Sequence, residues 1–156
     1  MTIPGYDFAR ADFAELLLRS FYPEKTNRES GVIRDYLQQH LAEFDRVSFS
    51  VRVGEGLPPD PSHLVQIQNN TTRFTKKRID VLGWNGTQPT IVEAKERLTG
   101  AALGQLLQYR HLFLEENPSA HEPRLVAIGR YSDEDTLRVF AANGVDVYLY
   151  QTAPTQ

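Results

Sequence analysis

The chain has 156 residues, which suits one domain with a buried core. With 40% hydrophobic and 24% charged residues it has an ordinary globular composition, and the absence of cysteine excludes disulfides, thiolate catalysis and cysteine-ligated zinc. A formal net charge of -3 argues against a protein that coats nucleic acid non-specifically, since such proteins are usually basic. No apolar run is long enough to span a membrane and the N-terminus lacks an apolar signal stretch, so we expect a cytoplasmic protein without membrane contact.

Helical periodicity dominates the first quarter of the chain. Apolar residues from Asp12 to Phe21 follow helical spacing, and Pro23 then interrupts the pattern. A second helix is predicted from about Asn27 to Glu43, because its apolar residues share one face. Thr26 and Glu29 have the spacing of a capping box at its start.

The rest of the chain alternates between strand and helix patterns. The segment 47–53 reads VSFSVRV, which is typical of a half-buried strand, and 63–68 is predicted as a further strand. RIDVLGW and TIVEAKE flank the turn-forming NGTQP and predict a hairpin. The remaining predicted elements are a helix at Thr99–Glu116, a strand at Arg124–Gly129, a helix capped by Ser132 and ending near Ala142, and a strand at Val145–Tyr150.

This order of elements predicts an α/β protein with a mixed β-sheet flanked by helices. We expect one domain over residues 1–156, with its core at about 27–150 and a helical N-terminal extension at 1–26.

The hairpin carries the residues with the clearest chemical potential. With a tight turn at Asn85-Gly86, Asp80 lies opposite Ile91 and diagonal to Glu93; with a loop of residues 85 to 88, Asp80 lies directly opposite Glu93. Both registers place the two carboxylates on one face, because side chains alternate with period two. Lys95 shares that face, whereas the neighbours on both strands are expected to point into a core: Ile79, Val81, Val92 and Ala94.

Two carboxylates that face each other between apolar runs repel, and a divalent cation removes that conflict. Oxygen ligands without cysteine suit Mg²⁺ or Mn²⁺. A solvated hairpin face with a weak ion pair is the ordinary alternative, and for an isolated E-x-K pattern it is the better interpretation.

The combination of motifs resembles the PD-(D/E)XK nuclease superfamily. Asp80 is followed thirteen residues later by Glu93-Ala94-Lys95, and the next helix contains Gln105 and Tyr109, which resemble the Q-x-x-x-Y motif of the RecB-like branch. The predicted order matches that superfamily's restriction-endonuclease-like αβββαβ core, although Ile79 stands in place of the name-giving proline.

The resemblance implies a metal-dependent nuclease that hydrolyses phosphodiester bonds of DNA with Mg²⁺ or Mn²⁺. It implies that Asp80 and Glu93 bind metal with the backbone carbonyl of Ala94 and that Lys95 is the catalytic lysine. It further implies that Gln105 and Tyr109 steady the active site or the DNA backbone. It also implies an acidic residue from the preceding helix. Glu29 is the best candidate and is equally well explained by its capping box, while Asp35 and Glu43 are weaker alternatives.

Basic residues cluster just before the Asp80 strand, in RFTKKR. Arg73, Lys76, Lys77 and Arg78 are therefore candidate phosphate contacts, although a solvated loop explains them equally well. The four histidines show no metal-ligand spacing, and neither a nucleophile elbow nor a phosphate-binding loop motif occurs.

Two functions stay open from the sequence. One is the nuclease; the other is a catalytically inactive nuclease-fold module that binds nucleic acid or a protein partner. The sequence does not distinguish exo- from endonuclease, DNA from RNA, or a monomer from a homodimer.

Overall fold

The computed structural model describes residues 5–151, except for the side chain of Phe74. Six strands form one sheet: β1 (Asp7–Ala9), β2 (Arg46–Val53), β3 (Lys77–Asn85), β4 (Gln88–Ala94), β5 (Arg124–Gly129) and β6 (Val145–Leu149). The α-helices are α1 (Phe13–Leu16), α2 (Asn27–His40), α3 (Val65–Thr75), α4 (Gly100–Glu116) and α5 (Glu134–Ala142). Short 3₁₀ segments lie at Arg10–Asp12 and Leu41–Glu43.

The sheet is mixed, and its strands lie side by side in chain order. The first four pair antiparallel, whereas β4, β5 and β6 pair parallel to one another. Parallel neighbours need crossover connections, and α4 and α5 supply them. The predicted order α-β-β-β-α-β is present as α2, β2, β3, β4, α4 and β5, with α3 inserted between β2 and β3. The predicted mixed sheet flanked by helices is therefore confirmed.

Two hydrophobic cores cover the faces of this sheet. On one face α2 packs Val32, Ile33 and Leu37 against residues that include Val81 and Val92. On the other face, the core combines side chains of α4 and α5 with strand residues, among them Leu106, Phe113, Phe140, Leu82 and Ile91. Helices therefore pack against both faces of the central strands. This packing holds in place the end of the hairpin where Asp80 and Glu93 lie.

The alternation of side chains between the two faces of the sheet is interrupted beside Asp80, in β2 and β3. Ser50 has a φ of 53°, which is unusual for a residue with a side chain, and the ladder has no pair between Phe49↔Val81 and Val51↔Ile79. As a consequence Ile79 lies in the α4 core while Val81 lies in the α2 core. The expectation that Ile79 shares a core with Val81 was wrong, because the kink in the strands interrupts the period of two.

Several predicted elements differ from those observed. The segment 63–68 is not a strand: α3 occupies Val65–Thr75. The first predicted helix is limited to α1 and a 3₁₀ turn, and the extension 1–26 is not purely helical because β1 joins the sheet. Asp133, rather than Ser132, caps α5 through a hydrogen bond of 2.8 Å accepted from the Thr136 amide.

Residues 1–4 and 152–156, which the predicted single domain includes, lie outside the described residues. Within the described part of the chain, no helix combines the length and the apolar character that crossing a membrane requires.

Candidate active site

The hairpin of β3 and β4 brings the two central carboxylates together. Val81 pairs with Val92 and Trp84 with Pro89, so the strands follow the second of the two predicted registers; Asp80 and Glu93 each lie one residue beyond the last of these pairs, Val81 and Val92. The chain reverses at Gly86, where a φ of 60° suits a residue without a Cβ atom. Both carboxylates line one cavity.

Asp80 is 3% exposed, and both of its carboxylate oxygens are bound. Oδ2 accepts a hydrogen bond of 2.8 Å from the backbone amide of Ala94. Oδ1 accepts a hydrogen bond from the ammonium group of Lys25, whose side chain is equally buried. A charge buried this deeply needs such partners, and Lys25 is the principal one.

Glu93 is 2% exposed and is less well satisfied. Its Oε1 lies 3.4 Å from Nζ of Lys95, whereas Oε2 is buried and has no hydrogen-bond partner among the described residues. Burial, and after it the negative charge of Asp80, raises the pKa of Glu93 to about 8. Without a further cation, this carboxyl therefore holds its proton at neutral pH.

Helix α4 supplies the opposite wall of the site. It begins after Thr99, whose hydroxyl oxygen accepts a hydrogen bond of 3.3 Å from the Ala101 amide. Gln105 and Tyr109 lie four residues apart and both face the carboxylates. Burial and the charges of Glu93 and Asp80 raise the pKa of Tyr109, and Oε1 of Gln105 is a second buried acceptor without a partner in the described residues.

These residues enclose a cavity of about 390 Å³ that carries an excess of positive charge. Six basic and three acidic side chains line it, although the whole protein has a net charge of -3. The lining residues are Lys25, Glu29, Arg52, Lys76, Lys77, Arg78, Asp80, Glu93, Lys95, Gln105, Gln108 and Tyr109. A cavity of this charge attracts an anion to the acidic pair at its centre.

Glu29 forms the predicted capping box, and its role as the acidic residue of the site stays a prediction. Its partner in the capping box of α2 is Thr26, and its side chain also lines the cavity, with Oε2 3.9 Å from Nζ of Lys25. The weaker acidic candidates lie elsewhere: Asp35 pairs with Arg130 at 2.6 Å, and Glu43 contacts His40.

The basic segment before β3 divides between two neighbouring cavities. Lys76, Lys77 and Arg78 line the carboxylate cavity, whereas Arg73 lines an adjoining one of about 560 Å³. Lys76 and Arg52 belong to both. The predicted phosphate contacts therefore lie along one continuous basic rim.

Sequence reasoning missed Lys25, Arg52 and Gln108. Lys25 immediately precedes the cap of α2 and stands four residues before Glu29, a helical ion-pair spacing that was available as a signal. Arg52 is the one basic residue within the segment VSFSVRV. The kink of this strand at Ser50 has no corresponding pattern in the sequence.

The donor set is small for a metal ion. Among residues 5–151 no group of three or more histidine, cysteine, aspartate and glutamate side chains is arranged to hold one. The oxygens available at the centre are those of Asp80 and Glu93, and the predicted role of the Ala94 carbonyl stays a prediction. The contact observed at Ala94 is the one its amide makes with Asp80.

No protein-family model matches the chain, and no curated protein does. Among solved structures, a repair endonuclease from Pyrococcus abyssi is similar at 12% sequence identity and a TM-score of 0.45, over 85% of this chain. The match covers 51% of that protein, so the chain spans about half of its length.

Proposed function

We propose that the protein is a metal-dependent nuclease that hydrolyses phosphodiester bonds of DNA. The observation that carries the proposal is the buried pair of Asp80 and Glu93, with Lys95 beside it, at the centre of a cavity with a basic rim. Two adjacent carboxylates in a strand hairpin weaken the sheet, and a site that positions them together is typical of chemistry rather than of stability.

A divalent cation fits the unsatisfied part of this site. Oε2 of Glu93 is a buried acceptor without a partner among the described residues, and the available donors are oxygens, which Mg²⁺ and Mn²⁺ prefer. Asp80, Glu93 and the carbonyl of Ala94 would hold the ion. When bound, it would supply charge neutralisation at the scissile phosphate and lower the pKa of a bound water.

The other residues of the cavity have distinct roles in this proposal. Lys95 is about one-third exposed and so reaches toward a substrate, where its ammonium group would stabilise negative charge developing on the phosphate. The hydroxyl of Tyr109 and the amide of Gln105 would hold Glu93 and the attacking water in position. Glu29 would bind water or cation at the edge of the site.

The basic rim supports a nucleic acid as substrate. Lys76 immediately precedes β3, and Lys77 and Arg78 begin it just before Asp80, so a nucleic-acid strand whose phosphates they contact would pass over the carboxylates. Such contacts carry no base specificity by themselves, so we expect binding of DNA without a sequence preference.

One observation favours a second candidate, an inactive nuclease-fold module that binds nucleic acid or a protein partner. Lys25 already neutralises Asp80 with its own ammonium group, so the metal-free pair is not left without a cation. If Lys25 keeps this position permanently, the same basic rim serves binding alone.

Cleavage and calorimetry distinguish the two candidates. The purified protein is incubated with single-stranded, duplex and branched DNA, and with RNA, in Mg²⁺ or Mn²⁺, and EDTA is expected to stop the reaction. Asp80→Ala and Lys95→Ala should abolish cutting, with circular dichroism as the check that each variant is folded. An intact protein that binds neither ion in titration calorimetry would establish the inactive module instead.

A further inference from the structure

The segment 22–26, which precedes α2, is held beside Asp80 by several contacts. The ring of Tyr22 stacks on Phe49 with centroids 5.0 Å apart, and its amide donates a hydrogen bond of 3.2 Å to the Ser30 hydroxyl. The hydroxyl of Ser50 donates to the carbonyl of Pro23 at 2.7 Å. The segment 22–26 is therefore tied both to α2 and to the kinked part of β2.

The same segment has a backbone conformation that fixes Lys25. Glu24 adopts a φ of 61°, a left-handed conformation that is costly for a residue with a side chain. Its carboxylate pairs with Arg52 at 2.6 Å and with Arg78 at 3.6 Å, which compensates that cost. The amide of Lys25 donates to the Tyr22 carbonyl at 3.2 Å, so Lys25 is held by its backbone.

The ammonium group of Lys25 lies among acidic side chains and hardly contacts solvent. Its side chain is 3% exposed, against 36% for Lys95, which is the other lysine beside the pair. It binds Oδ1 of Asp80 and has a second carboxylate, that of Glu29, 3.9 Å away. A buried lysine is costly unless it is paired, so this placement indicates a dedicated counter-ion rather than a solvated surface residue.

An ammonium group and a divalent cation compete for the same carboxylate oxygen. Asp80 Oδ2 is already engaged by the Ala94 amide, which leaves Oδ1 as its more available ligand atom, and Lys25 occupies that atom. Two cations at one oxygen repel strongly in a buried site. Glu29 offers Lys25 an alternative acceptor, because Oε2 of Glu29 lies 3.9 Å from Nζ of Lys25.

On this basis, and resting on the proposed metal-dependent function, we infer that Lys25 is an internal competitor for the metal ion. It neutralises Asp80 in the metal-free protein and moves from Oδ1 toward Glu29 when Mg²⁺ or Mn²⁺ binds. It thereby keeps the folded site stable without metal and sets the metal concentration at which the site is filled. Lys25 acts through Asp80, as a positioning residue.

The test compares metal binding and stability in the wild type and in Lys25→Met, which keeps the length of the side chain and removes its charge. Titration calorimetry with Mn²⁺ should show tighter binding by Lys25→Met, by about ten-fold or more, because an adjacent positive charge no longer opposes the ion. Thermal unfolding in EDTA should occur at a lower temperature than for the wild type, and saturating Mn²⁺ should remove that difference. Lys25→Gln, which retains a neutral donor for Asp80, repeats the test if Lys25→Met folds poorly.

Lys77→Met is the matched control. It removes the same charge from the rim of the same cavity, where Lys77 is exposed, so a general electrostatic effect would change both variants alike. Unchanged or weaker Mn²⁺ binding by Lys25→Met, or equal gains in both variants, would overturn the inference. Binding by Lys25→Met but not by the wild type would support Lys25 as a competitor and refute the proposed function, and binding by neither protein would refute both.

Discussion

The backbone amide of Ala94 donates a hydrogen bond of 2.8 Å to Oδ2 of Asp80, so β4 fixes the carboxylate that projects from β3. The residue that separates Glu93 from Lys95 thus orients the first acidic side chain of the site. With Lys25 on its other oxygen, Asp80 links the hairpin to the segment that precedes α2. Its substitution should therefore affect stability as well as chemistry.

Asp80→Ala should lower the free energy of unfolding by about 3 kcal/mol, because the buried Lys25 loses its principal counter-ion and keeps Glu29, 3.9 Å away. Urea unfolding of the metal-free protein, followed by circular dichroism, measures this change. The double variant Lys25→Met with Asp80→Ala removes both charges and should recover most of the loss. If Asp80→Ala proved as stable as the wild type, the ion pair between Lys25 and Asp80 would contribute nothing to the stability of the fold.

Glu93 should make the metal-free protein less stable as the pH rises. Its pKa in the folded state is about 8, above the ordinary value of 4.5, so the folded protein binds this proton more firmly than the unfolded chain does. The resulting stability is fully present below about pH 4.5 and is lost as the pH approaches 8, a change on the order of a few kcal/mol.

Thermal unfolding in EDTA across this pH range checks the prediction, with Glu93→Gln as the control. The amide cannot ionise, so the unfolding temperature of the variant should fall less between about pH 5 and pH 8. Parallel pH profiles for both proteins would contradict the raised pKa. For the wild type, binding of Mn²⁺ near pH 7 should also release protons, which calorimetry in buffers of different ionisation enthalpy detects.

The period of two along the strands predicted that the two carboxylates lie close together, although that period is interrupted next to Asp80. Asp80 and Glu93 are expected on one face in either hairpin register, and the structure selects the register in which each lies one residue beyond the pair of Val81 and Val92. The turn residues alone did not decide between a tight turn at Asn85-Gly86 and a loop of residues 85 to 88; in the structure Asn85 pairs with Gln88, so the chain reverses at Gly86-Thr87.

The unpredicted features depend on contacts between distant parts of the chain. Lys25 and Asp80 are in contact although 55 positions separate them in the sequence, because Ser50 holds the segment that carries Lys25. Neither this contact nor the kink at Ser50 is indicated by a local sequence pattern. The error at 63–68 has a different cause. The stretch HLVQIQ is short, and strand and helix patterns fit it equally well. The helix α3 continues to Thr75, beyond the end of that stretch.

Lys95→Met should lower the rate of DNA cleavage by about 10²–10³-fold while the protein still folds and binds metal. The side chain is partly exposed, so its loss should change the free energy of unfolding by less than about 1 kcal/mol. Because the charge of Lys95 lowers the pKa of Glu93, that pKa should be higher in the variant, so metal binding by the two proteins should be compared over a range of pH.

Single-turnover cleavage with saturating Mn²⁺ separates the chemical step from metal binding in this variant. A rate that recovers at higher Mn²⁺ concentration would assign Lys95 to metal affinity rather than to catalysis. Lys76→Met, which removes a charge from the rim, gives the effect of a more distant lysine on the same measurement.

Gln105→Met should lower activity without destabilising the protein. Oε1 of Gln105 is buried and has no partner among the described residues, so removing the polar group should leave the free energy of unfolding unchanged or raise it by about 1 kcal/mol. Cleavage should fall by roughly ten-fold, because a positioned hydrogen-bonding group is lost from the wall of the site. Gln39→Met, the same change at an exposed position of α2 outside the cavity, should affect neither property appreciably. Clear destabilisation by Gln105→Met would assign this side chain to the fold.

The basic rim should determine how strongly DNA binding depends on salt. Lys76→Ala combined with Lys77→Ala removes two predicted phosphate contacts, so the plot of log binding constant against log salt concentration should become less steep by about two. Fluorescence anisotropy in EDTA measures binding without cleavage, and the affinity should fall equally for unrelated DNA sequences, since phosphates are common to all of them. Arg138→Ala is the control, because this arginine pairs with Asp135 on α5 and does not line the cavity. Equal salt dependence in the double variant and the wild type would place the DNA on another face of the protein, away from Asp80 and Glu93.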